Sequence, residues 1–222
     1  MSDWGEEDFL NLAPSDECFV YTIRKPNFQN DRIWARSKSE IPEEVRTRGV
    51  VKHPACIGVF LVFTCKRLMW IINDEQGESW NGNYFRDKII PKVFRFLTNE
   101  RNVVIVDSVV FLHDKAPGFT ANATQECLRL GPIDFFNKSE YPGNSADLNV
   151  AEHVGAILKQ RTEDLMVAEE GINRYSKETL IGHMTTVLKS LERDMDLFES
   201  LLLSYPARLK EVVNKNGGDT SY

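Results

Sequence analysis

The chain has 222 residues, 27 Lys+Arg against 33 Asp+Glu, and a formal net charge of -6. With 42% hydrophobic and 27% charged residues it can bury a sizeable core, which excludes wholesale disorder, and its length suits one domain or one domain with an appendage. Net acidity argues against a generic nucleic-acid coat, whose affinity rests on phosphate neutralisation by Lys and Arg.

The average hides an asymmetry. Residues 1–23 hold six acids and no base, residues 24–67 hold ten bases against four acids, and the remainder is again acidic. No apolar run approaches the ~18 residues that cross a bilayer, so no membrane partner is expected. The N-terminus lacks the charged-then-apolar form of a signal peptide. Cys18, Cys56, Cys65 and Cys127 form no C-x-x-C pair, which speaks against zinc and for reduced, mostly buried thiols. Phosphate-cradling Gly loops, nucleophile elbows and H-E-x-x-H are absent from the sequence.

In chain order, residues 19–23 (FVYTI) predict a strand. Residues 24–54 are polar, basic and punctuated by proline, long enough for a functional loop, with a short strand candidate at 32–35. Residues 56–63 (CIGVFLVF) are apolar almost throughout, the pattern of a strand covered on both faces, and residues 68–72 predict its hairpin partner. Asn81-Gly82 opens a helical pattern through Leu97, which Pro91 is expected to kink or divide. Residues 103–106 and 109–112 predict strand, stopping at His113-Asp114. Thr120 is placed to cap a helix through Leu128, residues 134–136 predict a short strand, and Asn149 is placed to cap a helix to about Thr162.

From Lys177, apolar residues at 180, 184, 187, 191, 195, 198 and 202 form one helical stripe. It reads first as a long helix lying against the sheet and second as a dimerising face, which would make a homodimer. Tyr205-Pro206 breaks it, and a last helical piece covers 207–214. The sum is an α/β chain built on one central sheet, with a domain over 1–165 and a helical extension over 166–222.

Asp114 stands where an apolar strand hands over to a loop, Glu152 lies in the first turns of a helix, and Asp16 precedes a strand with Glu17 beside it. Acids fixed by separate rigid elements make a hard, oxygen-rich site suited to Mg²⁺ or Mn²⁺. Two such ions suit phosphodiester chemistry. Spacing alone selects these three weakly from 33 acids, most of which face solvent.

The surrounding segments select them more strongly. Residues 111–120 (FLHDKAPGFT) resemble the Q-D-N-A-P-x-H-T segment around the second acid of mariner-superfamily DNA transposases. Residues 141–153 (YPGNSADLNVAEH) resemble their W-P-x-x-S-P-D-L-N-P-I-E-N segment, and residues 15–19 (SDECF) their S-D-E-x-x-F. Residues 30–35, 204–209 and 217–222 also look like family segments, in the family's order. Lys115, Phe119, Ala146, Val150 and Asp219 depart from the family's usual Asn, His, Pro, Pro and His.

The resemblance implies an RNase H-like mixed sheet flanked by helices, with a catalytic and metal-binding triad of Asp16, Asp114 and Glu152 holding two Mg²⁺ or Mn²⁺ ions. It implies DNA as partner, strand cleavage and joining as activity, the nucleus as location, and a chain lacking the N-terminal helix-turn-helix region. It gives the basic loop at 24–54 a role in gripping DNA, through Arg24, Lys25, Arg32, Arg36, Lys38, Arg46, Arg48 and Lys52, with Lys115 beside the second acid. The alternative reading is a truncated, inactive or repurposed transposase remnant that acts as a DNA- or protein-binding module.

Overall fold

The computed structural model describes residues 4–23, 33–43, 54–73, 80–142, 145–171, 173–218 and 220. Five strands form one sheet: β1 (Leu12–Tyr21), β2 (Cys56–Phe63), β3 (Leu68–Asn73), β4 (Val110–Leu112) and β5 (Asp134–Phe135), in the order β3-β2-β1-β4-β5. The β1–β2 and β2–β3 pairs are antiparallel, and the β1–β4 and β4–β5 pairs are parallel.

The near-continuous apolar run of β2 has the physical reason expected of it. Ile57, Val59, Leu61 and Phe63 enter one core, while Phe60 and Val62 enter a second core on the other face. The second core is closed by α2, which comprises a short turn Gly82–Tyr84, a π-helical segment Phe85–Ile89 and Ile90–Leu97, and by α3 (Pro117–Thr120) and α4 (Asn122–Arg129). The first core is closed by α1 (Glu6–Leu10), α5 (Ala151–Ala168), α6 (Lys177–Leu191), α7 (Met195–Leu203) and α8 (Tyr205–Asn214). The chain is therefore an α/β/α stack, and the expected boundary between residues 165 and 166 falls inside α5. No helix among the described residues is long and apolar enough to cross a membrane.

Several local expectations are corrected. The strand opening the sheet begins at Leu12, so Pro14 lies within it and pairs with Leu112. Proline brings no N–H to that position, and the Ser15 hydroxyl donates to the Leu112 carbonyl at 3.0 Å instead. Of the two segments near residues 103–112, only Val110–Leu112 is strand; residues 103–105 are irregular. The helix expected from Thr120 starts at Asn122, behind the separate turn α3. Among residues 33–35 of the expected short strand there is no strand pairing, and Trp34 is 91% exposed. The long C-terminal helix is two helices: Asp194 accepts the Leu197 N–H at 3.3 Å and starts α7 afresh. The apolar stripe nonetheless serves the core of this chain, where Leu180, Met184, Val187, Leu191, Phe198 and Leu202 are buried.

The aromatic layer of the second core is tight. Phe85 and Phe119 ring centroids lie 4.4 Å apart, and a Cβ at Gly118 would fall 2.4 Å from Phe85 Cδ2. Both rings are fully buried, so neither can swing out of the way. Gly118→Ala is expected to destabilise the fold by about 1–3 kcal/mol, the usual consequence of overpacking. Urea unfolding checks this, and a variant as stable as the parent would show that α3 can shift.

Candidate active site

β1 pairs with β4 over Leu12–Pro14 and with β2 over Ser15–Tyr21. The parallel strands thus part company after Pro14 and Leu112, leaving a crevice at their carboxyl ends, the usual place for ligands in sheets of this kind. Two residues beyond the last pair, the chains carry Asp16 and Asp114. Asp114 is oriented by the loop itself, since its Oδ1 accepts the Ala116 N–H at 2.9 Å.

The loop has an aromatic footing. His113 is buried, stacks on Phe119 with centroids 4.6 Å apart, and bonds through Nδ1 to the Asp114 carbonyl. Gln125 Nε2 donates to His113 Nε2 at 3.2 Å, which makes Nε2 the acceptor and Nδ1 the donor. Burial lowers the His113 pKa, in keeping with this neutral ring. Phe119 is buried in this aromatic layer and offers no ligand.

The third acid arrives on α5. Asn149 Oδ1 accepts the Ala151 N–H at 3.2 Å, and Asn149 Nδ2 donates to the Ser15 carbonyl at 3.3 Å. The cap position falls one residue later than expected, at Val150, and makes no side-chain cap bond; Asn149 instead holds the first helical N–H from the preceding turn and ties that turn to the residue before Asp16. Glu152 occupies the first turn of α5. One turn on, a Cβ at Gly155 would lie 3.4 Å from Cys18 Cβ and 3.8 Å from Asp16 Oδ2, so α5 crosses β1 in direct contact with that carboxylate.

The three acids feel one another. Burial first, then Glu152 and Asp114, push Asp16 up to about 7, against the opposing influence of Lys159 and the Glu17 backbone N–H. Glu152 is also raised, by burial and by Asp114 and Asp147, with Lys159 opposing. Asp114 and Glu152 both line a cleft of about 480 Å³ with Lys115, Ala116, Tyr141, Pro142, Ser145 and Asn149. Burial raises the Tyr141 phenol, which stays protonated and neutral at the cleft wall. Among the described residues, no three His, Cys, Asp or Glu side chains are already closed around a common metal position. The acids are gathered within electrostatic reach but not drawn up as a finished ligand set.

Sequence reasoning passed over Glu17. Its carboxyl is pushed up to about 8 by burial and by the nearby Asp114 and Asp16, and its Oε1 is buried without a hydrogen-bond partner. Alternation along a strand was the available signal: a residue adjacent to Asp16 must face the other core. Of the expected DNA contacts, Arg36 and Lys38 are exposed, and Lys115 is exposed at the cleft. Arg24, Lys25, Arg32, Arg46, Arg48 and Lys52 lie outside the described residues. The four cysteines are free thiols, with Cys18 and Cys65 buried but Cys56 exposed.

No protein-family model and no curated protein sequence matches the chain. Solved structures do. The Mos1 transposase paired-end complex with left transposon end is similar at TM-score 0.64 and 17% identity, over 94% of this chain and 56% of that one. The Mos1 mariner paired end complex with Mn gives TM-score 0.67 at 16% identity, again over 94% and 56%. The catalytic domain of Mos1 mariner transposase gives 0.62 at 14% identity, over 96% and 85%. This chain thus spans a little over half the length of the Mos1 chains in the paired-end complexes. The strand order, the helices on both faces and the helical C-terminal extension are those of an RNase H-like fold, shared with the Mos1 mariner transposase catalytic domain.

Proposed function

We propose that the chain is a transposase-type catalytic domain that binds DNA and carries out metal-dependent cleavage and joining of its strands. The observation that carries this reading is the convergence of Asp16, Asp114 and Glu152, from β1, the end of β4 and the first turn of α5, at one crevice of an RNase H-like sheet. Mos1 structures of the same fold include complexes with a transposon end and with Mn.

The donor set suits Mg²⁺ or Mn²⁺. Three carboxylates supply only hard oxygen ligands, and burial, reinforced by repulsion from Glu152 and Asp114, leaves Asp16 holding a proton to about pH 7 when no cation lies among them. Ligation requires side-chain rearrangement, because the acids are not closed around a point. Asp16, Asp114 and Glu152 would hold the ions through their carboxylates. Two such ions supply the charge that activates a water or a 3′-hydroxyl and stabilises the leaving oxygen. The protein's own part is positional. The Ala116 N–H aims Asp114, Asn149 binds the start of α5 to β1, and Lys115 stands exposed at the cleft to meet a DNA phosphate. Arg36 and Lys38, also exposed, would offer further phosphate contacts, and the nucleus is the proposed site of action, which a fluorescent fusion would report.

Incubation with end-labelled duplex DNA tests the reading. Nicking is expected in Mg²⁺ or Mn²⁺ and not in EDTA. Cleavage indifferent to chelation, or none in either metal under conditions where DNA is bound, would remove the catalytic reading. The second reading, a DNA- or protein-binding remnant without catalysis, is favoured by one observation, that the described acids form no closed ligand set.

A further inference from the structure

Arg208 on α8 is 4% exposed, an expensive place for a charge unless its donors are satisfied. Nη1 donates to the Asp147 carbonyl at 2.7 Å, Nη2 donates to His153 Nε2 at 2.7 Å, and Nε donates to Ser204 Oγ at 2.9 Å. A guanidinium accepts nothing, so His153 Nε2 is the acceptor in this contact. Thr220 Oγ1 donates to Asp147 Oδ2 at 3.0 Å, so the C-terminal tail holds the same residue by its carboxylate.

These contacts bracket Glu152. Asp147 lies in the turn Ala146–Leu148 that leads into α5, and His153 follows Glu152 directly. From the opposite side Asn149 binds the turn to Ser15, the neighbour of Asp16. The helix start is therefore pinned at β1 by one side chain and at α8 by another. Further along, α5 packs into the first core through Val154 and Leu158 and passes close to β1 at Gly155, so the Arg208 contacts act on the first turn, where Glu152 stands, and not on the helix as a whole.

We infer that Arg208 is a positioning residue, which sets the rotation of the first turn of α5 and thereby holds Glu152 towards Asp16 and Asp114. The inference rests on the proposed function, in that Glu152 is taken as a metal ligand. It makes the C-terminal helix part of the active site without touching substrate.

The test compares Arg208→Gln, His153→Leu and His153→Gln in the full chain. Mn²⁺ binding is measured by calorimetry without DNA, and nicking by kcat and KM for DNA. Outer partners that orient metal ligands typically contribute ~10–100-fold. Arg208→Gln and His153→Leu are each expected to weaken Mn²⁺ affinity and lower kcat by about 10-fold or more, with KM for DNA unchanged. His153→Gln, which retains an acceptor oxygen for the guanidinium, is expected to restore most of both. Should Arg208→Gln fail to fold, the two His153 variants decide alone. Unchanged Mn²⁺ affinity and kcat in a folded Arg208→Gln or His153→Leu chain, or a rise in KM for DNA in place of a fall in kcat, overturns the positioning role. Absence of Mn²⁺ binding by the wild type would overturn the metal-site reading as well, which separates the two failures.

Discussion

Asp114→Asn is expected to lower Mg²⁺-dependent nicking by about 10³-fold or more, equivalent to about 4 kcal/mol of barrier. The substitution is discriminating because it changes charge and little else. The Asp114 oxygen that accepts the Ala116 N–H has a counterpart in the asparagine amide oxygen, so the turn into α3 keeps its geometry. His113, Phe119 and Gln125 still support the loop from the core. Thermal unfolding should therefore differ little from the parent while single-turnover cleavage collapses. Asp114→Ala would lose both charge and hydrogen bond, and a stability loss would confuse the result. Nicking by Asp114→Asn within tenfold of the parent would refute a catalytic role for this acid.

The second large effect is on stability. Without a cation, Asp16→Asn should make the chain more stable at pH 8 by about 4 kcal/mol, and by less than half of that at pH 5. The sign follows from linkage. Asp16 rises from 3.8 to about 7 in the folded chain, so folding takes up a proton between those values. Stability attributable to this group falls as pH rises from about 4 to about 7, then levels. Asparagine has no proton to lose and removes that slope. Glu17, carried to about 8, acts in the same direction and leaves a residual slope in the variant. Urea unfolding in EDTA at pH 5 and pH 8 measures both. A parent chain more stable at pH 8 than at pH 5, or no gain from Asp16→Asn at pH 8, would show that burial and the neighbouring acids do not raise Asp16 as described. Added Mg²⁺ should restore stability to the parent at pH 8 and do much less for the variant.

The sequence showed some of this readily. The run at 56–63 is apolar at every position but Gly58, and only a strand covered on both faces needs that. The three acids were singled out because segments resembling those of a transposase family surround them, not because their spacing is distinctive. The break between α6 and α7 was hidden by arithmetic: the step of four from Leu191 to Met195 fits a continuous helix. Only the cap-forming Asp194 marks the restart, and Met195 proves 50% exposed. The reach of β1 back to Leu12, well before the strand expected at 19–23, crosses a proline, and a neighbouring hydroxyl serves the carbonyl that Pro14 cannot. The π-helical turn before Pro91 leaves no periodic trace in so short a segment. Arg208 was invisible for a different reason. Its burial depends on which elements meet across the fold, and a linear pattern does not contain that.

The two halves of the sheet are unequal in length. β1, β2 and β3 pair over long antiparallel registers, from Ser15–Tyr21 and from Gly58–Phe63, whereas β4 meets β1 over Leu12–Pro14 and β5 meets β4 over two residues. Backbone amides protected by short ladders open at lower free energy than those in long ones. Hydrogen–deuterium exchange should therefore be slowest across β1–β3 and markedly faster in β4, β5 and the loop that carries Asp114. Of the two strands that carry acids, one belongs to the durable part of the molecule and the other to the part that opens first. Asp16 rides on the anvil, and Asp114 on the jaw.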